Sequence, residues 1–193
     1  MFKILATFRV TREKIYDYYY NGISEHVERE KKDEDKYVTK IYNFFSDPSL
    51  IYEKDGVKLY LGNSYNSANS VTLNELEIDC IMNISNEIPN YFPKNFDYFN
   101  ISVPDKNTHH MTDFFDLAIN FFFNKVEEGK KIFFIHCYYG ASRSAIITLL
   151  VLIRYFKISY EDAKKLLKDK RDFVNINIVF LDELKSYLDL EKN

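Results

Sequence analysis

The 193-residue sequence contains little cysteine, glycine or proline, and it has no tryptophan. Its two cysteines, Cys80 and Cys137, are too few for a disulfide framework, so we expect a reducing compartment. Five glycines and four prolines argue against long flexible linkers. The four histidines and two cysteines are scattered without the paired spacing of metal ligands, so we expect no metal and no cofactor.

Long apolar runs and a strong excess of one charge are also missing. The N-terminal segment MFKILATFRV is too short for a membrane span and has no small-residue cleavage site, so neither a signal peptide nor a transmembrane segment is predicted. A net charge of -3 argues against a nucleic-acid or membrane partner, although it allows a local basic pocket. We therefore expect a cytoplasmic protein, with the nucleus as an alternative location.

Hydrophobic and aromatic side chains are abundant, at 46% and 17% of the chain, as in a globular protein. Residues 1–50 carry apolar side chains at mixed helical spacing, which predicts an N-terminal helical extension whose two helices end before Asp47-Pro48. Its mixed-sign run EREKKDEDK is interpreted as a solvated face. Such an extension could cover a sheet edge, dock substrate, or exchange between chains to form a homodimer.

From about residue 51, short strands and helices alternate. Strands are predicted in GVKLYLG, EIDCIMNIS, FDYFNISV and KKIFFIHC, and the last reads as buried on both faces. Helices are predicted in MTDFFDLAINFFFNKVEE, SRSAIITLLVLIRYF, SYEDAKKLLKDKR and NIVFLDELKSYLDL. Thr112 or Asp113 is the expected N-cap of the first helix, and Ser159 of the third. The alternation predicts an α/β domain over residues 51–193, with a central, mostly parallel sheet flanked by helices.

The most informative stretch is HCYYGASRS, residues 136–144, at the junction of a predicted buried strand and a predicted buried helix. Ligand sites in α/β sheets lie beyond the carboxyl ends of the strands, where the next helix points its unpaired N–H groups. Gly140 permits a tight turn, so that the N–H groups of residues 138–143 converge into a nest for an anion. Arg143 adds a planar fork for two phosphate oxygens.

Cys137 lies at the base of this predicted nest. A helix N-terminus and a neighbouring cation stabilise a thiolate, and the same field attracts a dianionic phosphate. A nucleophile on the floor of a phosphate cradle implies attack on phosphorus and a cysteinyl-phosphate intermediate. A buried structural cysteine beside a core histidine is the simpler alternative, and the complete Cys-x5-Arg pattern in its strand–turn–helix context argues against it.

HCYYGASRS resembles the signature loop of the cysteine-dependent protein tyrosine phosphatases, and most closely that of the dual-specificity phosphatase family. The resemblance implies a protein-tyrosine-phosphatase-like fold and a hydrolase acting on phosphotyrosine and on phosphoserine or phosphothreonine. It implies Cys137 as the nucleophile, Ser144 as the group that stabilises the departing thiolate, and His136 as a supporting residue that orders the loop. The implied phosphate-binding residues are Tyr138, Tyr139, Gly140, Ala141, Ser142 and Arg143.

Such enzymes also need a general acid, which the family carries as an aspartate on a loop upstream of the signature. The segment ISVPDKNTHH supplies Asp105 directly after a predicted strand, at a separation from the signature similar to that in compact family members. The resemblance therefore implies Asp105 as the acid, and a turn residue after Pro104 is the structural alternative. The segments KLYLGN, CIMNIS, MTDFFDLAINFF and KRDFVNINIVFLDEL extend the resemblance over about residues 51–190.

Five other residues carry open expectations. Tyr138 and Tyr139 are bulky for loop positions, and their side chains could line the pocket rim or pack beneath it. His109 and His110 could bind substrate or influence the acid, and two solvated histidines are the alternative. Cys80 is expected to pack in the core, while a protective disulfide with the oxidised loop cysteine, as some related enzymes form, is the alternative.

Three other functions share parts of the pattern. RNA 5′-phosphatases use a Cys-x5-Arg loop that continues Arg-Thr-Gly, whereas this chain reads Arg143-Ser144-Ala145. Phosphoinositide phosphatases often carry lysines within the loop, where this chain has tyrosine and alanine. A non-catalytic phospho-binding module would have lost the nucleophile, the acid or the arginine, and all three are present. No phosphotyrosine-recognition loop is found in the sequence, which favours a shallow, dual-specificity pocket. The expected partner is a phosphorylated protein substrate.

Overall fold

A computed structural model of the chain describes residues 47–105 and 109–190. The two predicted N-terminal helices and the run EREKKDEDK lie outside these residues. Ser49 and Leu50, which we assigned to the extension, belong to the first strand. Within the described part, the elements follow in this order: β1 (Ser49–Lys54), β2 (Val57–Gly62), α1 (Ser64–Ser67), α2 (Ser70–Glu75), β3 (Cys80–Asn83), β4 (Asp97–Asn100), α3 (Thr112–Glu127), β5 (Ile132–His136), α4 (Arg143–Arg154), α5 (Tyr160–Lys170) and α6 (Ile178–Leu190).

The five strands form one sheet in the order β1-β2-β5-β3-β4. β1 pairs antiparallel with β2, and every other neighbouring pair is parallel. The carboxyl ends of β2, β3, β4 and β5 therefore meet at one edge of the sheet, with β5 in the middle. This topology confirms the predicted α/β fold with a mostly parallel sheet, and it places the end of β5 where ligand sites are expected.

Side chains of the central strand alternate between two cores. Phe133 and Ile135 face the larger core, which the helices α3 to α6 cover. Phe134 faces a smaller core on the opposite side, together with Ile81 of β3 and Leu73 of α2. Both faces of β5 are thus buried, as the continuous apolar run KKIFFIHC predicts.

Helix α4 is the centre of the larger core. It contacts β2 and β5 of the sheet and the helices α3, α5 and α6. Every residue from Arg143 to Leu152 is buried. A helix that is apolar on all sides has to be enclosed by other elements, so this burial confirms the prediction from SRSAIITLLVLIRYF. The packing also fixes the N-terminus of α4 against the end of β5.

The start of the domain contains three elements that the sequence analysis does not predict: the strand β1 and the short helices α1 and α2. β1 forms a hairpin with the predicted strand β2, and the turn residues Asp55 and Gly56 both have positive φ, 52° and 79°. Asp-Gly is a preferred pair for such turns, because both positions demand left-handed backbone angles. The short helices α1 and α2 follow, and the side chains of Asn63 and Asn69 cap their N-termini.

The N-cap prediction for α3 is wrong. Met111 is the N-cap and has no side-chain capping bond, whereas Thr112 and Asp113 lie in the first turn. Glu183 of α6 takes over this role, since its Oε2 accepts the Met111 N–H at 2.7 Å. A tertiary contact thus replaces the local cap. The predicted N-cap of α5 is confirmed, because Oγ of Ser159 accepts the N–H of the third helical residue at 3.2 Å.

Candidate active site

The anion loop, residues 137–143, runs from the carboxyl end of β5 into the first residue of α4. Gly140 turns this loop with φ of +70°, a conformation that other residues rarely adopt. A side chain at this position would also collide with β2, because an added Cβ would lie 2.4 Å from the Gly62 carbonyl oxygen. The Tyr138 carbonyl accepts the Ser64 N–H at 3.0 Å, which ties the loop to the chain after β2.

Cys137 is buried at the start of the anion loop. The Gly140 N–H donates to its Sγ at 3.3 Å, and the Ser144 hydroxyl donates to the same sulfur at 3.1 Å. Two donors directed at one sulfur are suited to stabilising negative charge on it. Ser144 is therefore placed to meet a thiolate that forms or departs at this position.

Arg143 is buried and forms an ion pair with a carboxylate from another loop. Its Nη1 and Nη2 donate to the two carboxylate oxygens of Glu87 at 2.8 and 2.6 Å, and Nη1 also donates to the Val103 carbonyl at 3.0 Å. Burial lowers the pKa of Arg143, but the bonds to Glu87, together with the charges of Glu87, Cys137 and Asp105, outweigh it and leave the pKa raised. The same bonds lower the pKa of Glu87. The bidentate pair holds the guanidinium plane in a fixed orientation.

Asp105 lies against the end of the anion loop. Its Oδ1 accepts the Ser142 hydroxyl at 3.0 Å, and its Oδ2 is 3.7 Å from Nε of Arg143. The carboxylate side chain is 35% exposed, in contrast to the buried arginine. The structure thus brings the predicted acid to the same loop as the predicted nucleophile.

The outer side of the anion loop is held by the segment that follows α5. Nε of Arg171 donates to the Gly140 carbonyl at 3.0 Å, and the Asn175 N–H donates to the Ala141 carbonyl at 2.9 Å. The next loop side chain, Ser142 Oγ, accepts the Asn177 N–H at 3.2 Å. Three consecutive loop residues, Gly140, Ala141 and Ser142, are therefore bonded to this segment. The segment KRDFVNINIVFLDEL thus supports the loop through its backbone and one arginine.

His136 is fully buried at the end of β5 and stacks on Phe134, with ring centroids 5.3 Å apart. Burial lowers the pKa of His136 to about 3; the Cys137 backbone opposes this shift and the charge of Arg143 adds to it. The imidazole is therefore neutral at physiological pH and adds no positive charge beside the thiol. The backbone carbonyl of His136 accepts the Ile84 N–H at 2.8 Å, which aligns the strand end that carries the loop.

The two loop tyrosines have exposed side chains. Tyr138 is 39% and Tyr139 63% exposed, and their rings meet edge to face with centroids 4.7 Å apart. Of the two placements that the sequence leaves open, the structure favours the rim and excludes packing beneath the loop.

The histidines after the acid lie at the surface. His110 bonds through Nδ1 to Oε1 of Glu183, and the same carboxylate accepts the Met111 N–H. His109 is exposed as well. The bond of His110 connects the end of the acid loop to α6 and does not involve Asp105. The expectation that His110 influences Asp105 is therefore not supported by a contact between the two residues.

Two residues of the site were missed by the sequence analysis. Glu87 follows β3, and its position near the carboxyl end of a parallel strand was the signal that could have indicated a role. Arg171 is the C-cap of α5, where arginine is common because it complements the helix dipole, so no sequence pattern singles it out. Both act on the anion loop from segments distant in sequence, and only the fold brings them there.

Cys80 lies in the larger core, away from Cys137. Its register partner on β5 is Phe133, four residues before Cys137, which corresponds to roughly 13 Å along a strand. A disulfide needs Cα atoms about 4.4–6.8 Å apart, so the structure excludes the proposed protective pair. Burial, with Asp97 and Asp79 adding to it, raises the pKa of Cys80 to about 12, as expected for an inert core thiol.

Within residues 47–105 and 109–190, the side chains of His, Cys, Asp and Glu form no group of three that could hold a metal ion. No helix of the described part is both long and apolar enough to cross a membrane.

Comparison with known proteins decides the family. The profile described as "Dual specificity phosphatase, catalytic domain" matches residues 59–189, which include the whole site described above. The chain belongs to the dual specificity phosphatase family. This confirms the resemblance that HCYYGASRS indicates.

Curated relatives of the family agree with this assignment. The chain is 30% identical to Protein phosphatase Slingshot of Drosophila melanogaster over 149 residues, covering 76% of this chain and 14% of that protein. It is 32% identical to Dual specificity protein phosphatase 1-A of Xenopus laevis over 129 residues, covering 67% of this chain and 35% of that protein. The chain therefore spans a small part of the length of these relatives.

Solved structures of similar fold include two human proteins. The human tyrosine phosphatase-like serine/threonine/tyrosine-interacting protein aligns with a TM-score of 0.66 and 26% identity, covering 76% of this chain and 99% of that chain. Human DUSP28 aligns with a TM-score of 0.68 and 18% identity, covering 76% of this chain and 95% of that chain, which shows the common fold. Both matches cover nearly the whole of the solved chain.

Proposed function

We propose that this protein is a phosphatase that removes phosphate from tyrosine and from serine or threonine side chains of proteins. One observation carries the proposal: Asp105, from a separate part of the sequence, lies against the anion loop that carries both Cys137 and Arg143. The family assignment over residues 59–189 supports the same chemistry.

In the first step, the N–H groups of residues 138–143 and the guanidinium of Arg143 bind the phosphate dianion. Sγ of Cys137 attacks phosphorus, so that a sulfur–phosphorus bond forms and the bond to the leaving oxygen breaks. Asp105 donates its proton to this oxygen, which leaves as the free hydroxyl of the side chain.

In the second step, water attacks the phosphorus of the cysteinyl-phosphate. Asp105, now ionised, accepts a proton from this water, and the sulfur–phosphorus bond breaks to release inorganic phosphate. The Ser144 hydroxyl, 3.1 Å from Sγ, stabilises the departing thiolate. No metal or cofactor enters either step, since the charges come from the loop, Arg143 and the two acid–base states of Asp105.

The rim of the site supports a protein substrate. The exposed rings of Tyr138 and Tyr139 offer apolar faces to residues flanking the phosphate, and lysines that would meet further phosphates of an inositol ring are absent from the loop sequence. The curated relatives compared above carry the name protein phosphatase. For location, we propose the cytoplasm, with the nucleus as the alternative. Both cysteines are free and buried, in keeping with a reducing compartment, and tagged protein in cells would test this.

Hydrolysis assays test the proposal directly. Phosphate release is measured from a phosphotyrosine peptide, a phosphothreonine peptide, 5′-triphosphorylated RNA and inositol phosphates. We expect both peptides to be hydrolysed, and Cys137→Ser to reduce the rate by roughly 10⁴-fold or more while the thermal midpoint is unchanged. Equal rates for wild type and Cys137→Ser would refute the mechanism. Faster release from RNA or inositol phosphates than from either peptide would refute the substrate class.

A further inference from the structure

Arg171 is a second arginine at the anion loop, and the mechanism above does not use it. Only 2% of its surface is exposed, at the end of α5, and its guanidinium covers the Phe173 ring at 4.2 Å. Burial lowers the pKa of Arg171 to about 10, while the charges of Cys137 and Asp172 raise it, so the side chain is still a cation at neutral pH. A buried cation is costly to a fold and calls for a physical reason.

The bonds of this guanidinium are directed at backbone and at the edge strand. Nε donates to the Gly140 carbonyl at 3.0 Å, and Nη1 donates to Oγ of Ser49 in β1 at 3.0 Å. Within the described residues Nη2 has no hydrogen-bond partner. It lies close to the glycine, since a Cβ built on Gly140 would be 2.8 Å from it.

The bond to the Gly140 carbonyl has a consequence on the other side of the loop. In a trans peptide the C=O of one residue and the N–H of the next point in opposite directions. A Gly140 carbonyl held outward therefore directs the Ala141 N–H inward, toward the site of the anion. Without the arginine, the left-handed glycine could rotate this peptide and present a carbonyl oxygen to the phosphate.

The next peptide, between Ala141 and Ser142, is also held through its carbonyl by the segment that follows α5. The Asn175 N–H donates to the Ala141 carbonyl at 2.9 Å, which directs the Ser142 N–H inward. That bond comes from backbone and tolerates any side chain at position 175. The Gly140 carbonyl is held by a side chain instead, so its orientation depends on the identity of residue 171.

We propose that Arg171 is a positioning residue that holds the Gly140–Ala141 peptide in its anion-binding orientation. This inference rests on the proposed function, because it assumes that the loop binds a phosphoryl group. It assigns the residue no contact with substrate. The alternative is that Arg171 only joins α5 to β1, in which case its loss would lower stability and leave anion affinity intact.

The experiment compares Arg171→Met, Arg171→Lys and a control, Lys168→Met. Lys168 donates to the Val174 carbonyl at 3.0 Å, so its variant removes a cation that bonds the same segment without contacting the loop. The probe is inorganic orthovanadate, whose Kd is measured by calorimetry beside the thermal midpoint and kcat/KM on a phosphotyrosine peptide. Orthovanadate occupies the nest whether or not a substrate is turned over.

We expect Arg171→Met to raise the vanadate Kd roughly 10- to 100-fold and to lower kcat/KM by a similar factor, as for loss of a charged hydrogen-bond donor. Arg171→Lys keeps the charge and one donor and should recover part of the affinity. Lys168→Met should bind vanadate as wild type does.

If Arg171→Met is too unstable to measure, Arg171→Lys against Lys168→Met decides the question by the same comparison. Wild-type vanadate affinity in a folded Arg171 variant would overturn the inference. So would a loss of affinity equal to that of Lys168→Met. Wild-type enzyme that binds vanadate but hydrolyses no substrate would contradict the proposed function and leave the inference to be judged by the Kd values alone.

Discussion

The anion loop and the acid segment, residues 101–105, meet at Ser142 but are held in opposite ways. Apart from the exposed side chains of Tyr138 and Tyr139, the loop is mostly buried, and backbone groups and a buried arginine of the segment after α5 bond to it. Asp105 is one-third exposed and is held by one hydroxyl and by an ion pair across 3.7 Å. Buried bonds fix a geometry in advance, whereas an exposed carboxylate can adjust to the leaving oxygen. The difference suits the proposed roles, in which the nucleophile Cys137 must be in place and the acid Asp105 must serve varied substrates.

Among the tests of this comparison, the largest effect should come from Asp105→Asn, which removes the proton donor without changing its shape. We expect the hydrolysis of a phosphothreonine peptide to fall by roughly 10²- to 10³-fold, because an alkoxide leaves poorly without a proton. Hydrolysis of 4-nitrophenyl phosphate, whose leaving group needs little assistance, should fall much less. Steady-state kcat for the two substrates measures the contrast.

A control for this variant is Asp113→Asn, which changes an exposed aspartate in the first turn of α3. It should leave both rates as in the wild type. If Asp105→Asn lost kcat equally on the two substrates, the acid would be another group. The contrast between a fixed loop and an adjustable acid would then have no functional meaning.

A smaller effect is expected at Glu87, the exposed carboxylate that orients the buried Arg143. Glu87→Gln keeps an oxygen for one arginine nitrogen and loses the charge, so KM for a phosphotyrosine peptide should rise by about tenfold or less with kcat little changed. Added salt should raise KM more in the wild type than in Glu87→Gln, because it screens the exposed pair. Glu53→Gln, at an exposed position of β1, serves as the matched control; a tenfold fall in kcat with constant KM would contradict a role in binding.

The last prediction concerns the strand end beneath the loop and is measured as stability. His136 has a pKa of about 3 in the folded chain, and an unfolded histidine titrates near 6.5. Between these pH values the unfolded chain binds more protons than the folded chain. The contribution of His136 to the free energy of unfolding is therefore fully present above about pH 6.5 and decreases as the pH falls. At pH 5 the loss from this residue should be about 2 kcal/mol relative to pH 7.

Urea unfolding of wild type and His136→Gln at pH 7 and pH 5 measures the contribution of His136 to the pH dependence of the unfolding free energy. The variant should be less stable at pH 7 and should show a weaker dependence on pH, because it lacks the group that takes up the proton. The same change of unfolding free energy in both proteins would show that other groups cause the acid sensitivity.

Much of the fold could be predicted from local patterns. The apolar run at β5 and the apolar helix α4 are recognisable because burial on all sides requires uniform hydrophobicity. β1 was missed although Asp55-Gly56 is a hairpin signal, because the strand before it has only a weak alternation of polar and apolar residues. The N-cap of α3 could not be predicted, since the acceptor comes from Glu183, far along the chain.

The candidate site divides in the same way. The contiguous residues from Cys137 to Ser144 form a motif whose spacing carries its chemistry, and Asp105 follows a recognisable strand. Glu87 and Arg171 belong to no such motif. Only the position of Glu87 after a parallel strand could have indicated a role, and an arginine at a helix end is an ordinary feature of a sequence. Their role arises from the bonds to Arg143 and to the Gly140 carbonyl.

The sequence by itself determined the α/β class, the position of the anion loop between strand and helix, and the family, because each of these is written in neighbouring residues. Only the tertiary structure decided which way the loop peptides point, which carboxylate holds Arg143, and that Cys80 lies too far from Cys137 to bond with it. These depend on the strand order and on the segments that meet at the end of β5. Contacts between residues so distant along the chain leave no mark in local sequence.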